Sequence, residues 1–177
     1  MRQIPKHILK CAEKIKYLFL DVDGVLTDGK LYFGKSGEEL KVFNVKDGQG
    51  IRLLQDNGIK VGIISARKSD IVTQRASELN INPLFQGEKD KASKLKEFIV
   101  SQSLKLDQIA FLGDDLPDLR IIKMVGLGLC VANSSEQVIK SAGWKTESNG
   151  GHGAVREVAE LILTAQEKLS SSLDEYL

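Results

Sequence analysis

Two carboxylates directly follow an apolar segment near the start of the chain. The segment 17–20 reads as a short buried strand, and Asp21 and Asp23 come next, ahead of Gly24. Side chains two positions apart in a strand lie on the same face, so both carboxylates can reach one metal ion or one phosphoryl group. Burying two charged groups is costly unless something binds them. Because an Asp-x-Asp pair alone also occurs in surface turns, its meaning depends on what lies nearby.

Other polar groups follow the strands that are predicted later in the chain. In order they are Ser65 and Arg67 after the strand 59–64, Lys91 after the strand 83–86, and Asp114, Asp115 and Asp118 after the strand 109–112. Ligands of open α/β sheets bind beyond the carboxyl ends of the strands, so these groups are expected to meet Asp21 and Asp23 at one edge. The alternatives are a solvated helix residue for Lys91 and a helix cap for the pair at 114–115.

The acidic residues at this edge would form a site made of oxygen ligands. The four carboxylates at 21, 23, 114 and 115 would repel one another without a cation, which would raise their pKa values. Magnesium binds through one or two carboxylates, waters and a substrate phosphate. Beside magnesium, an aspartate can stay ionised and attack phosphorus, while Lys91 and Ser65 hold phosphate oxygens. The pattern therefore predicts magnesium-dependent phosphoryl chemistry.

Strands and helices alternate along the rest of the chain, which predicts an α/β fold with a mostly parallel sheet flanked by helices. A small β-hairpin is expected at about residues 30–43, where turn residues separate β-prone flanks. A helix is expected from near Gly48 to Asn57. Gly48 and Gly50 are expected in a turn, since no third glycine completes a dinucleotide-binding motif. Residues 170–177 are expected to form a loose tail.

Length and charge limit the classes of function. The 177 residues suggest one domain, and 25 basic against 24 acidic residues give a net charge of +1. This balance argues against nucleic acid or an anionic membrane as a partner. No stretch has the length of a membrane-spanning helix or the pattern of a signal peptide. Cys11 and Cys130 do not suggest a disulfide framework. We therefore expect a cytoplasmic protein that acts on a small molecule.

Taken together, the motifs resemble those of the haloacid dehalogenase superfamily of phosphotransferases. Residues 21–24 resemble its nucleophile motif, Ser65 its serine/threonine motif, Lys91 its lysine motif and residues 113–115 its metal motif. The order and spacing of the four motifs are far more specific than any one of them. The resemblance implies a Rossmann-like fold, Mg²⁺ as cofactor and a phosphoryl group carried on an aspartate.

A narrower resemblance covers nearly the whole chain. Segments 21–29, 37–52, 86–87 and 150–157 resemble the 3-deoxy-D-manno-octulosonate 8-phosphate phosphatase family. This resemblance implies a fold without a cap domain and a homotetramer whose active sites lie at subunit interfaces. The intervals between motifs agree, because neither the hairpin region nor the segment from Ser65 to Lys91 can hold a separate domain.

The resemblance also implies roles for individual residues. The implied catalytic residues are Asp21 as nucleophile, Asp23 as general acid and base, Ser65 and Lys91. The implied metal ligands are Asp21, Asp114 and Asp23 through its backbone oxygen. The implied substrate contacts are Asp23, Asn44, Val45, Lys46, Asp47, Gly48, Arg52, Arg67, Arg75 and Lys91. Lys46 and His152 stand where the family often has arginine, and both departures bear on sugar-acid preference.

The expected reaction is hydrolysis of 3-deoxy-D-manno-octulosonate 8-phosphate, through an aspartyl-phosphate, in lipopolysaccharide precursor biosynthesis. Two alternatives stay open. A phosphatase of a related sugar acid, such as a nonulosonate 9-phosphate, would use the same motifs with a different basic pocket. A non-catalytic assembly module is the second alternative, although the motif residues are all present in this chain.

Overall fold

The computed structural model describes residues 4–174 and residue 176, apart from the side chains of residues 38 and 39. In chain order the elements are α1 (Lys6–Ala12), β1 (Tyr17–Leu20), β2 (Tyr32–Gly34), β3 (Gly37–Leu40), α2 (Val45–Asp56), β4 (Lys60–Ser65), α3 (Asp70–Glu78), β5 (Leu84–Gln86), α4 (Lys91–Ser101), β6 (Ile109–Gly113), α5 (Leu119–Met124), β7 (Leu127–Cys130), α6 (Glu136–Ser141), β8 (Trp144–Lys145), α7 (Ala154–Ala165) and α8 (Leu169–Asp174). Short 3-10 turns lie at Leu106–Gln108 and Leu116–Asp118.

Six strands form one parallel sheet in the order β5-β4-β1-β6-β7-β8. The chain moves outward from β1 through β4 to β5, and then returns to place β6 on the other side of β1. At such a reversal the loops that follow neighbouring strands leave in opposite directions, which opens a crevice at the carboxyl end of β1. The predicted α/β fold is confirmed, whereas the assignment of residues 1–177 to one domain stays a prediction.

Helices cover both faces of the sheet, and β1 shows how the faces are divided. Leu18 and Leu20 pack in a core cluster with α1, α2, α3 and α7, whereas Tyr17 and Phe19 pack in a second cluster with α4, α5 and α6. The N–H of Asp21 donates to the carbonyl of Leu112 at 3.0 Å, so the parallel ladder continues one residue beyond β1. The two-residue period of a strand therefore places Asp21 on the α4 side.

The predicted hairpin is formed by the antiparallel strands β2 and β3. It is too small to act as a separate cap domain over the crevice. Several of its large apolar side chains are exposed, including Phe33, Leu40 and Val42, with Phe33 at 62% exposure.

The start of α2 corrects the sequence-based expectation. The helix begins at Val45, so Gly48 and Gly50 lie inside it and not in a turn. The side chain of Asn44 starts the helix by accepting a hydrogen bond from the N–H of Lys46 at 2.8 Å. A β-carbon at position 50 would lie 2.8 Å from Cα of Arg156 in α7. Gly50 therefore allows the close packing of α2 against α7.

The expected loose tail also differs from the structure. Residues 169–174 form α8, and Ser172 is buried and accepts a hydrogen bond from Asn57 Nδ2 at 2.8 Å. Packing against α7 and this hydrogen bond from Asn57 explain the helix, because polar serines alone do not favour one. Residues 175 and 177 lie outside the described part of the chain. Within the described residues, every helix is too short or too polar to cross a membrane.

Candidate active site

Asp21 lies at the carboxyl end of β1 and contacts the first residue of α4. Its Oδ1 lies 2.8 Å from Nζ of Lys91, and both side chains are buried. Asp90 starts α4 by accepting a hydrogen bond from the N–H of Ser93, which brings Lys91 to the edge of the sheet. Lys91 is therefore a buried residue, and the alternative interpretation, a solvated helix residue, is wrong. A buried ammonium needs such a partner to offset its lost hydration.

Asp118 is the second anionic partner of Lys91. Its Oδ1 lies 2.7 Å from Nζ of Lys91, and its Oδ2 accepts hydrogen bonds from the N–H groups of Asp114 and Asp115, at 3.0 and 3.4 Å. Burial opposes the charge on Lys91, but the attraction of Asp21 and Asp118 outweighs it and raises the pKa of Lys91. Lys91 is therefore a stable cation beside the nucleophile candidate.

Three carboxylates at this edge are close enough to share one cation. Asp21, Asp114 and Asp118 each place an oxygen within 4.8 Å of the others. Burial, together with the charges of Asp21, Asp118 and Asp115, raises the pKa of Asp114 to about 7. Burial also raises the pKa of Asp21 to about 6, against the attraction of Lys91. A divalent cation would relieve this repulsion, and a set of oxygen donors fits Mg²⁺.

The three carboxylates are not equally suited to bind the cation. Asp118 already uses both oxygens, one for Lys91 and one for backbone N–H groups. Asp21 and Asp114, the two side-chain ligands expected from the sequence, are the better candidates. The Asp23 carboxylate lies outside this group of three, so its backbone oxygen stays the expected ligand at that position.

The Asp23 carboxylate lies between two cations from different elements. Lys41, the residue after β3, forms an ion pair with its Oδ1. Arg67, two residues after β4, places Nε 3.5 Å from its Oδ2. Ser65, at the end of β4, is buried, and its Oγ accepts a hydrogen bond from the N–H of Arg67 at 3.3 Å.

A cavity of about 180 Å³ lies at this edge of the sheet. Its walls include Asp21, Asp23, Ser65, Arg67, Lys91 and Asp114. This volume is small beside the roughly 300–1,000 Å³ of typical small-molecule sites. It suits a phosphoryl group, and the rest of a sugar phosphate would lie outside it.

Most of the other expected substrate contacts lie away from this cavity. Arg75 lines a separate depression with Phe43 and Val45, and its guanidinium lies 5.8 Å from the ring centroid of Phe43. The buried Asp47 carboxylate accepts hydrogen bonds from the N–H groups of Gly153 and Arg156 at the start of α7, at 3.2 and 2.9 Å. Because the Asp47 side chain is used in these hydrogen bonds, a substrate contact at position 47 would be made by the backbone.

The remaining residues of the expected set lie at the start and on the outer face of α2. Asn44 donates from Nδ2 to the carbonyl of Gly151 at 3.2 Å, and so ties the start of α2 to the loop before α7. Lys46 and Arg52 are exposed on α2, and His152 is exposed on that loop. Gly48 packs against the guanidinium of Arg75, from which a β-carbon would be 2.7 Å away.

Two residues of the site, Lys41 and Asp118, were not assigned a role from the sequence. Lys41 looks like an ordinary polar residue after a hairpin strand, and only its burial to 2% exposure distinguishes it. Asp118 stands in an acidic segment in which Asp114 and Asp115 offer the same chemistry. Its position four residues after Asp114, at the end of a turn, was the signal from which its role could have been predicted.

Comparisons with known proteins show the family to which the chain belongs. A family model described as haloacid dehalogenase-like hydrolase matches residues 77–158. The 3-deoxy-D-manno-octulosonate 8-phosphate phosphatase KdsC of Escherichia coli (strain K12) is 42% identical over 165 residues, which are 93% of this chain and 88% of that protein.

Solved structures of the same kind of protein share the fold over nearly the full chain. The 3-deoxy-D-manno-octulosonate 8-phosphate phosphatase of Yersinia pestis has a TM-score of 0.92 and 42% identity, and covers 94% of this chain and 90% of its own. The one from Moraxella catarrhalis, in complex with a magnesium ion, a phosphate ion and KDO, has a TM-score of 0.96 and 38% identity, over 98% of this chain and 100% of its own. The chain therefore belongs to the 3-deoxy-D-manno-octulosonate 8-phosphate phosphatase family of haloacid dehalogenase-like hydrolases.

Proposed function

We propose that this chain is a magnesium-dependent phosphatase that hydrolyses 3-deoxy-D-manno-octulosonate 8-phosphate to the free sugar acid and phosphate. The observation that carries the proposal is the pairing of Asp21 with the buried Lys91, 2.8 Å apart, inside a cavity of phosphoryl size. Relatives with 42% identity bear the name of this activity, which identifies the substrate among the possible phosphate esters.

The proposed reaction has two steps, and residues of the cavity carry out both. Asp21 attacks phosphorus in line and forms an aspartyl-phosphate, while Asp23 gives a proton to the leaving sugar oxygen. Asp23 then takes a proton from the water that hydrolyses the aspartyl-phosphate, as expected of one group that serves as acid and then as base. Lys91 and Ser65 hold the phosphoryl oxygens, where negative charge is concentrated.

Asp21, Asp114 and the backbone oxygen of Asp23 are the residues that would hold Mg²⁺. When bound, this ion would neutralise phosphate charge and keep the nucleophile ionised. Asp118 supports the same arrangement indirectly, because it holds both Lys91 and the backbone of residues 114–115.

Recognition of the sugar acid is proposed to use residues from a neighbouring subunit. Asn44 to Gly48, Arg52 and Arg75 are the proposed contacts, yet Arg75 lines a different depression, and the cavity of about 180 Å³ is small for a whole sugar phosphate. The exposed apolar side chains of the hairpin offer a surface for a second copy of the chain. A homotetramer with active sites at subunit interfaces accounts for both features.

Assembly can be tested with one substitution in the hairpin. Sedimentation velocity of the wild-type protein should show a tetramer, and Phe33→Glu should shift it to smaller species because a charge would be buried at the interface. A wild-type monomer at micromolar concentration would contradict the shared site.

A cytoplasmic location is also part of the proposal and is supported by the free thiols of Cys11 and Cys130.

The function itself is tested by phosphate release with Mg²⁺ and a panel of sugar phosphates. The highest kcat/KM is expected for 3-deoxy-D-manno-octulosonate 8-phosphate, compared with nine-carbon sugar-acid phosphates and common hexose phosphates. A preference for a nine-carbon substrate would replace the proposed substrate but not the reaction. No release from any ester would favour the non-catalytic assembly module.

A further inference from the structure

Lys41 extends from the base of the hairpin to Asp23, a residue that lines the cavity. It follows β3 directly, and its side chain is only 2% exposed. Removing an ammonium from water is costly unless an anion compensates for the lost hydration. The Asp23 carboxylate, 18 residues earlier in the chain, is such a partner, since Nζ of Lys41 forms an ion pair and hydrogen bond with its Oδ1.

The two aspartates of the nucleophile motif are thus each held by a different lysine. Asp21 is paired with Lys91 from α4, and Asp23 with Lys41 from the hairpin. The second oxygen of Asp23 is turned toward Arg67, whose Nε lies 3.5 Å away. Arg67 is much more exposed than Lys41, at 41% against 2%, and the buried pair is therefore the better fixed of the two contacts.

This arrangement matters for a group that transfers protons. A carboxyl group that serves as general acid carries its proton on one oxygen and must present that oxygen to the leaving group in a fixed direction, since proton transfer needs hydrogen-bond distance. Lys41 occupies Oδ1 of Asp23 and so determines the rotation of the carboxylate, which leaves Oδ2 facing Arg67. Asp23 and Arg67 both line the cavity. An ion pair that served only to anchor the hairpin would not need Asp23 as its acidic partner.

We infer that Lys41 is a positioning residue that orients the Asp23 carboxylate for proton transfer, and so couples the hairpin to the leaving-group step. The inference rests on the proposed phosphatase activity and on Asp23 as its general acid. Lys41 acts through Asp23, so its loss should affect esters according to how much their leaving groups need a proton.

The test compares phenyl phosphate with p-nitrophenyl phosphate, which are similar in shape but differ in leaving group. Phenolate leaves poorly without a proton, whereas p-nitrophenolate leaves as the anion. The value of kcat/KM reports the steps up to formation of the aspartyl-phosphate. For Lys41→Met, kcat/KM should fall about 100-fold on phenyl phosphate and less than about threefold on p-nitrophenyl phosphate, in line with the size of general-acid effects. Lys41→Arg should recover part of the loss.

Lys35→Met is the matched control, because Lys35 is an exposed lysine at the tip of the same hairpin. It should leave both esters unchanged. An equal fall on both esters for Lys41→Met would make Lys41 a structural residue and overturn the inference. A fall confined to the sugar-acid phosphate would make it a sugar-binding residue and overturn it too. Wild-type activity on phenyl esters without activity on the sugar-acid phosphate would reject only the proposed substrate, whereas inactivity on all of them would reject both proposals.

Discussion

Gly24 and Asp114 lie so close together that a side chain at position 24 would displace the carboxylate. A β-carbon on Gly24 would lie 2.1 Å from Asp114 Oδ2, and Gly24 has a φ of +91°. The turn after β1 and the end of β6 therefore meet only because residue 24 has no side chain. This close approach holds the Asp114 carboxylate against the turn after Asp21, and oxygens of the two carboxylates lie within 4.8 Å of each other.

Gly24→Ala should impair magnesium binding as well as folding. The left-handed conformation alone costs a non-glycine residue about 1–2 kcal/mol, and the clash with Asp114 adds to that cost. The expected result is a lower free energy of unfolding and loss of most of the rise in Tm that Mg²⁺ produces, measured by thermal denaturation with and without the ion.

Gly58→Ala provides the matched control for Gly24→Ala. Gly58 has a φ of +80°, but a β-carbon there would meet nothing within 4 Å. It should show the conformational cost and keep the full response to Mg²⁺. Equal responses to Mg²⁺ in the two variants would show that the approach of Gly24 to Asp114 does not shape the metal site.

Asp21→Asn should abolish turnover while the fold survives. An amide cannot form the aspartyl-phosphate, so kcat should fall by at least about a thousandfold in a phosphate-release assay. Circular dichroism should be unchanged, because the substitution preserves the shape of the side chain. Asp28→Asn is the control in the same loop, since the Asp28 carboxylate forms its ion pair and hydrogen bond with Lys30. Wild-type turnover by the Asp21 variant would show that Asp21 is not the nucleophile.

Asp118→Asn should destabilise the protein more than Asp115→Asn. Asp118 is buried and holds Lys91 and two backbone N–H groups, whereas Asp115 is exposed. Breaking the buried pair should lower the free energy of unfolding by about 3 kcal/mol, against about 0.5 kcal/mol or less for the exposed position. Urea denaturation of both variants measures the difference, and similar losses would show that Asp118 has no special structural role.

The effect of Mg²⁺ on stability should grow with pH. Burial and neighbouring carboxylates raise the pKa of Asp114 to about 7 and burial raises that of Asp21 to about 6, both from 3.8. Without metal, a carboxyl whose pKa is raised by folding contributes less stability as the pH rises from about 4 through 7. Mg²⁺ binds the deprotonated forms, so it must displace protons at low pH.

The rise in Tm at a fixed Mg²⁺ concentration should therefore be larger at pH 7.5 than at pH 5.5. Differential scanning fluorimetry at the two pH values measures it. Asp114→Asn removes one of the two proposed ligands whose pKa is raised, so its response should be smaller and should depend less on pH. A wild-type response that is equal at both pH values, or larger at pH 5.5, would contradict the raised pKa values.

Much of this protein could be predicted from local sequence, because the signals involved are local. The apolar strands and the alternation of elements predicted the α/β fold, and the two-residue period of β1 placed Asp21 at the edge where Lys91 and Asp114 also lie. The start of α2 was placed too late, because Gly48 and Gly50 weaken a helix by propensity but fit one that packs closely against α7.

Only the tertiary structure decided which polar residues hold the site together. Lys41 meets Asp23 across 18 residues, Lys91 meets Asp118 across 27, and Asp47 caps α7 across 106. These contacts depend on how the hairpin, the helices and the sheet pack, and on which side chains that packing removes from water. The sequence predicted the reacting groups through strand periodicity and motif spacing. Burial determined how those groups are positioned, because a charged side chain that is removed from water is stable only beside an opposite charge.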